Sequence, residues 1–112
     1  MAIVKLQRES VEKLELPIQT ADDPATATVQ FAFTDTDSPD DRPGGAGFSA
    51  WQSGTWDGAA TGDVTSGFER IAVTPGVGAS PFDLDVGKWN AWSKVTLGSE
   101  VAVDKCGQVQ IQ

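Results

Sequence analysis

The densest run of potential ligands in the chain is Asp35-Thr36-Asp37-Ser38-Pro39-Asp40-Asp41, four carboxylates in seven residues. Hard cations such as calcium take six to eight oxygen ligands, and Asp35, Asp37, Asp40 and Asp41 could supply several of them. The run is not an EF-hand loop, because it has no Gly at the sixth position and no Glu at the twelfth. A solvated turn held open by its own charges is the expected reading, with a cation site as the weaker one. Asp83 and Asp85 flank Leu84 at strand spacing and share a face, but no partner group accompanies them, so a polar strand face is expected.

Other chemistry is limited by what the chain lacks. It has no His, which removes the commonest general base and the commonest metal ligand. Its single Cys106 can form no intrachain disulfide or thiolate cluster, and with only Lys105 beside it has no convincing base. No Gly-x-Ser-x-Gly elbow occurs, and Gly44-Gly45-Ala46-Gly47 is followed by no Lys-Ser/Thr, as a phosphate loop requires. The reading is therefore non-enzymatic, with no catalytic residue and no cofactor.

The four Trp are the remaining candidates. An indole on a β face can stack on a sugar, anchor an interface or fill a small core. Trp89 shares its face with Val95 and Leu97 and is expected in the core. Trp92 falls on the opposite face beside Asn90 and Lys94 and is the preferred contact residue. Trp51 and Trp56 fit either reading.

These residues must be positioned by strands, because the apolar pattern has period two. Leu14, Leu16 and Ile18 alternate with Glu15 and Pro17, and Pro17 places that strand at an edge or an end. Residues 9–16 could also be written as a short helix, but the neighbouring β-branched residues favour a strand. Ala27, Val29, Phe31 and Phe33 form the clearest strand, preceded by the turn signal Asp22-Asp23-Pro24. The stretch 35–47 is a long loop, and 58–67 reads as a polar, Gly-rich connection. A strand over 68–73 ends at Pro75-Gly76. Trp89, Ala91, Ser93, Val95 and Leu97 make one face of the next strand. The last two segments, 101–103 and 109–111, are expected as separate strands divided by a turn at 104–107.

About seven short strands with regular turn signals predict an all-β chain, one antiparallel β domain built as a sandwich or barrel, with a long acidic loop. With 112 residues there is room for one core, so 1–112 is read as one domain. Sixteen acids against eight bases give a net charge of −8, which disfavours nucleic acid and anionic membrane as partners. Charge interrupts the first residues too early for a secretory signal, and no apolar run could span a bilayer. The chain is accordingly expected to be made in a cytoplasm.

The run Leu84-Asp85-Val86-Gly87-Lys88-Trp89-Asn90-Ala91-Trp92-Ser93-Lys94-Val95-Thr96 has the form Leu-x-x-Gly-x-aromatic-x-x-Trp-x-x-Val-Thr. It is followed by Glu100-Val101-Ala102-Val103 and Gly107-Gln108-Val109-Gln110-Ile111, and preceded by Ala2-Ile3-Val4-Lys5-Leu6 and Val29-Gln30-Phe31-Ala32-Phe33. In these features the chain resembles a group of small β-sandwich virion proteins of tailed phages of actinobacteria. The resemblance implies a single antiparallel, immunoglobulin-like β-sandwich with an assembly role in the virion, as a head-to-tail (neck) connector component or, second, a capsid decoration protein. The implied partners are further copies and other virion proteins, whether portal, neck, tail or major capsid protein. The segments expected to reach them are the N-terminal strand, with Ile3 and Leu6, the acidic loop, with Asp35, Asp37, Pro39 and Asp41, and Trp92. A reading from another class is a carbohydrate-binding module that stacks sugars on Trp92 and Trp51.

Overall fold

The computed structural model describes residues 3–6, 11–36, 51–78 and 82–112. Among them there are eleven strands and a single 3-10 turn, Pro24–Thr26. The strands are β1 (Ile3–Leu6), β2 (Val11–Glu12), β3 (Glu15–Thr20), β4 (Thr28–Asp35), β5 (Gln52–Ser53), β6 (Thr55–Asp63), β7 (Gly67–Val73), β8 (Val77–Gly78), β9 (Phe82–Asp83), β10 (Gly87–Leu97) and β11 (Glu100–Ile111). A five-stranded sheet, ordered β1-β11-β10-β4-β5, packs against a three-stranded sheet, ordered β3-β7-β6. A small third sheet, β2-β8-β9, lies beside them. The fold is an all-β sandwich, as its alternating sequence predicts.

Period two explains the packing directly. In β3, Leu16 and Ile18 are buried while Glu15, Pro17 and Gln19 are exposed. Among the described strands β3 pairs only with β7, which makes the strand that holds Pro17 an edge, where a missing N–H costs no ladder bond. In β4, Val29, Phe31 and Phe33 face the other sheet, and Phe31 and Phe33 have no solvent exposure. β4 is also covered on its second face, where Ala32 and Thr34 are fully buried. Phe33 meets Phe82 edge to face, with centroids 4.8 Å apart, an arrangement that suits the aromatic quadrupoles. Ala91 and Val95 from β10 and Val109 and Ile111 from β11 complete the core, with Trp89 packed against it.

Three expectations need correction. The sandwich is not wholly antiparallel, because β1 pairs parallel to β11 and β8 pairs parallel to β9. The stretch 58–67 is not a connection: most of it belongs to β6 and the start of β7. β6 is nearly all exposed and rich in Gly, Ala and Thr, so backbone pairing defines it and no apolar alternation announces it. The turn expected at 104–107 is part of one continuous strand. Ala91 pairs with Gly107 and Trp92 with Lys105, so Cys106 is the extra residue of a β-bulge.

Two glycines are required by close approach. A Cβ on Gly54 would lie 2.5 Å from Phe31 Cε2 and 2.8 Å from the Val73 carbonyl oxygen, so β5 and β6 could not draw this close to the core with any side chain there. Gly62 has a φ of +106°, and a Cβ there would lie 2.1 Å from the Gly67 carbonyl oxygen.

Candidate functional site

The two large sheets part along one side of the sandwich. Among the described residues, β3 has no strand neighbour on that side. β11 is paired with β1 only from Gln108 to Ile111, so among the described residues its outer edge from Glu100 to Gly107 carries no strand. Between these edges runs a cleft of about 560 Å³, with Ile18, Ala27, Val95 and Leu97 among its lining and the carboxylates of Asp22, Glu100 and Asp104 at its rim. A second hollow of about 450 Å³ shares Ile18, Gln19, Ser93 and Asp104 and extends the groove to Pro17 and Cys106. An apolar floor beside an unpaired strand edge suits an extended segment, which can add main-chain hydrogen bonds to the edge and place alternate side chains in the groove.

Local chemistry holds this geometry in place. The Leu14 N–H donates to Thr74 Oγ1 at 2.9 Å, and the Thr74 N–H donates to the Leu14 carbonyl at 2.9 Å, which clasps the entry of β3 to the exit of β7. Asp23 caps the 3-10 turn by accepting from the Ala25 N–H at 3.0 Å. The Arg70 guanidinium donates to the carbonyls of Gly58 (2.8 Å) and Pro24 (3.0 Å) and lies 4.9 Å from the Trp56 ring centroid. One side chain thus ties β7 to β6 and to the turn at the cleft mouth.

Cys106 lies at the end of the groove. Burial, with a smaller contribution from the Asp104 charge, pushes its thiol up to about 12 against the lowering effect of a hydrogen bond with Ser93. At neutral pH the group is a protonated thiol, a poor nucleophile. Among the described residues, no group of three or more His, Cys, Asp or Glu side chains is placed to hold a metal ion.

The residues singled out from sequence do not converge. Asp35 ends β4, half-buried and in register with Trp89. Asp37, Pro39, Asp40 and Asp41 lie outside the described residues. Ile3 opens β1, in register with Gln108. Leu6 is only 4% exposed and packs in the core, which corrects its reading as a side chain offered to a partner: as the parallel partner of Ile111 it lies on the inward face. Trp92 is half-buried on the outward face of the five-stranded sheet, where its Nε1–H donates to Thr34 Oγ1 at 2.8 Å and Lys105 Nζ lies 5.3 Å from the ring centroid. Lys94 Nζ lies 4.6 Å from the Trp51 centroid. Both are within the range of a cation–π contact. Trp56 packs against the core and donates its indole N–H to the Ala27 carbonyl at 2.8 Å.

Sequence reading missed the cleft and its flank. Val101 and Val103 are 57% and 42% exposed on the distal half of β11. Their alternation with Ala102 and Asp104 was visible, but alternation does not reveal that the strand extends past its shielding neighbours. In comparisons with protein-family models, curated proteins and solved structures, the chain matches none.

Proposed function

We propose that the chain is a non-enzymatic virion assembly subunit, first a head-to-tail connector component, which docks through strand edges onto copies of itself and neighbouring virion proteins. The observation that carries this reading is the edge of β11 that no described strand pairs with from Glu100 to Gly107, beside a cleft with an apolar floor. Subunits that join by adding a strand need such an edge, and monomeric proteins generally shield theirs. The exposed Val101 and Val103 on the same strand supply apolar surface for the contact. The sequence resemblance to small sandwich proteins of phage virions points the same way and brings with it the immunoglobulin-like description of the sandwich.

The carbohydrate reading draws less support. A stacking platform needs an open indole face, and the rings of Trp51 and Trp92 each have an ammonium group close to them.

The test is to follow the chain in purified particles, by mass spectrometry for copy number and by imaging for position. Roughly a dozen copies or fewer, at the portal vertex, are expected of a closed ring component. Hundreds of copies on the shell would make it a decoration protein, and absence from the particle would end the assembly reading. Ala102→Lys places an ammonium group in the cleft at an exposed position, so the chain should fold normally and lose incorporation.

A further inference from the structure

Strand register places four lysines and four carboxylates of this acidic chain on two opposed faces. On the five-stranded sheet, Lys5 aligns with Gln110 and Gln110 with Lys88, while Lys105 aligns with Trp92 and Lys94 with Val103 and Gln30. All of these positions alternate with the core-facing Leu6, Ile111, Trp89 and Val95, so they belong to the outward face. Four of the chain's eight basic residues, Lys5, Lys88, Lys94 and Lys105, therefore share it, and no carboxylate occupies an outward register position among the described strands. On the three-stranded sheet, Glu15 aligns with Val73 and Thr55, Ile71 with Asp57, Glu69 with Thr61, and Gly67 with Asp63. These alternate with the inward Leu16 and Ala72, which gives an outward face with Glu15, Asp57, Asp63 and Glu69 and no base in register. All four acids are exposed, as are Lys5, Lys88 and Lys105, while Lys94 is half-buried.

We infer that these two faces recognise each other between copies, so that the lysine face of one chain stacks on the carboxylate face of the next. The inference rests on the assembly reading and adds to its strand-edge docking a second contact, sheet face on sheet face, with a second copy as the partner. Like faces repel, which rules against a two-fold contact, and a net charge of −8 opposes every orientation that fails to pair the lysines with acids. The resulting contact is heterologous, and repetition of it closes a ring or continues as a stack according to the rotation per copy. Two exposed faces of opposite sign attract mainly through screened charge, so the contact weakens as salt rises.

The test mixes full-length chain of natural isotope content with ¹⁵N-labelled chain at low ionic strength and applies a zero-length carbodiimide cross-linker. Mixed-isotope cross-links should join Lys88 or Lys105 to Asp57 or Glu69, a pairing that opposite faces of one chain cannot make internally. They should disappear in about 1 M salt, where the screening length falls to ~3 Å. K88E/K105E alone and D57K/E69K alone should each lose them, a one-to-one mixture of the two variants should regain association, and E12K/D85K, at exposed positions outside both faces and the cleft, should keep them. Urea midpoints for each variant show that loss does not reflect unfolding. The inference is overturned if mixed cross-links are absent, join residues of one face, persist in high salt, or are lost equally in E12K/D85K. A chain present in virions without these cross-links sinks this inference alone; cross-links in a chain absent from virions sink the assembly reading alone.

Discussion

The two large sheets achieve order by different means. The five-stranded sheet buries side chains: Phe31, Phe33, Ala91, Val109 and Ile111 are at most 1% exposed, and β4 is enclosed on both faces along 31–34. The three-stranded sheet contributes Leu16, Ile18 and Ala72 to that core, but its β6 is almost wholly exposed. What holds β6 is the ladder to β7, the Trp56 indole bond to Ala27, the Arg70 bond to Gly58 and the fit at Gly62. One sheet is held by area removed from water, the other by placed hydrogen bonds and glycine geometry. A protein built this way can alter the surface of the thinner sheet without disturbing the thicker one.

The largest expected effect breaks the thicker sheet. Phe33→Ala removes a fully buried ring and its edge contact with Phe82, and should cost about 3–5 kcal/mol in urea unfolding. Should the loss fall below ~1 kcal/mol, the division drawn between the sheets would be wrong. Next comes the glycine geometry. Gly62→Ala forces a Cβ against the Gly67 carbonyl in a left-handed backbone, at roughly 1–3 kcal/mol. Hydrogen exchange should then quicken in β6 and β7 while β4 and β10 stay protected. Thr74→Val keeps the volume but leaves the buried Leu14 N–H without its side-chain acceptor, for about 1–2 kcal/mol. Trp56→Phe removes only the indole N–H and some packing, so about 1 kcal/mol is expected, read from the thermal midpoint.

The smallest effect is electrostatic and sharpens the comparison at the β6–β7 turn. The Asp63 carboxylate accepts from the Ser66 N–H at 2.8 Å, the Ser66 hydroxyl at 2.9 Å and the Thr65 N–H at 2.9 Å. These bonds, the Ser66 backbone bond foremost, hold its pKa below the ordinary 3.8. With the folded value lower than the unfolded one, more protons bind to the unfolded chain in acid. The contribution of Asp63 is thus fully present above about pH 3.8 and fades as pH falls through the folded value. Thermal midpoints of wild type and Asp63→Ala should differ slightly near neutrality and converge in strong acid.

How much of this was legible beforehand differs by strand. β3, β4, β7 and β10 announce themselves because each has one buried face, and a buried face writes alternating apolar residues into the chain. β6 does not, because neither of its faces is packed along most of its length. The bulge at Cys106 mimics a turn, since one extra residue flips the alternation midway through β11. For the candidate site, the outward face of Trp92 followed from its place beside Asn90 and Lys94 in β10, whereas the core position of Leu6 was missed because it depends on a parallel pairing across most of the chain.

By itself, the order of residues determined the all-β class, the inward residues of its strongest strands, the lack of any His and the excess of negative charge. These are local or summed properties, and period two is set by the geometry of one strand. Only the tertiary structure decided that β11 runs unbroken beside an open cleft, and that four lysines and four carboxylates stand on opposite sides of the sandwich. Alternation says which residues of a strand share a face. Which strands become neighbours, and in what register, depends on pairings between distant segments that no local pattern encodes.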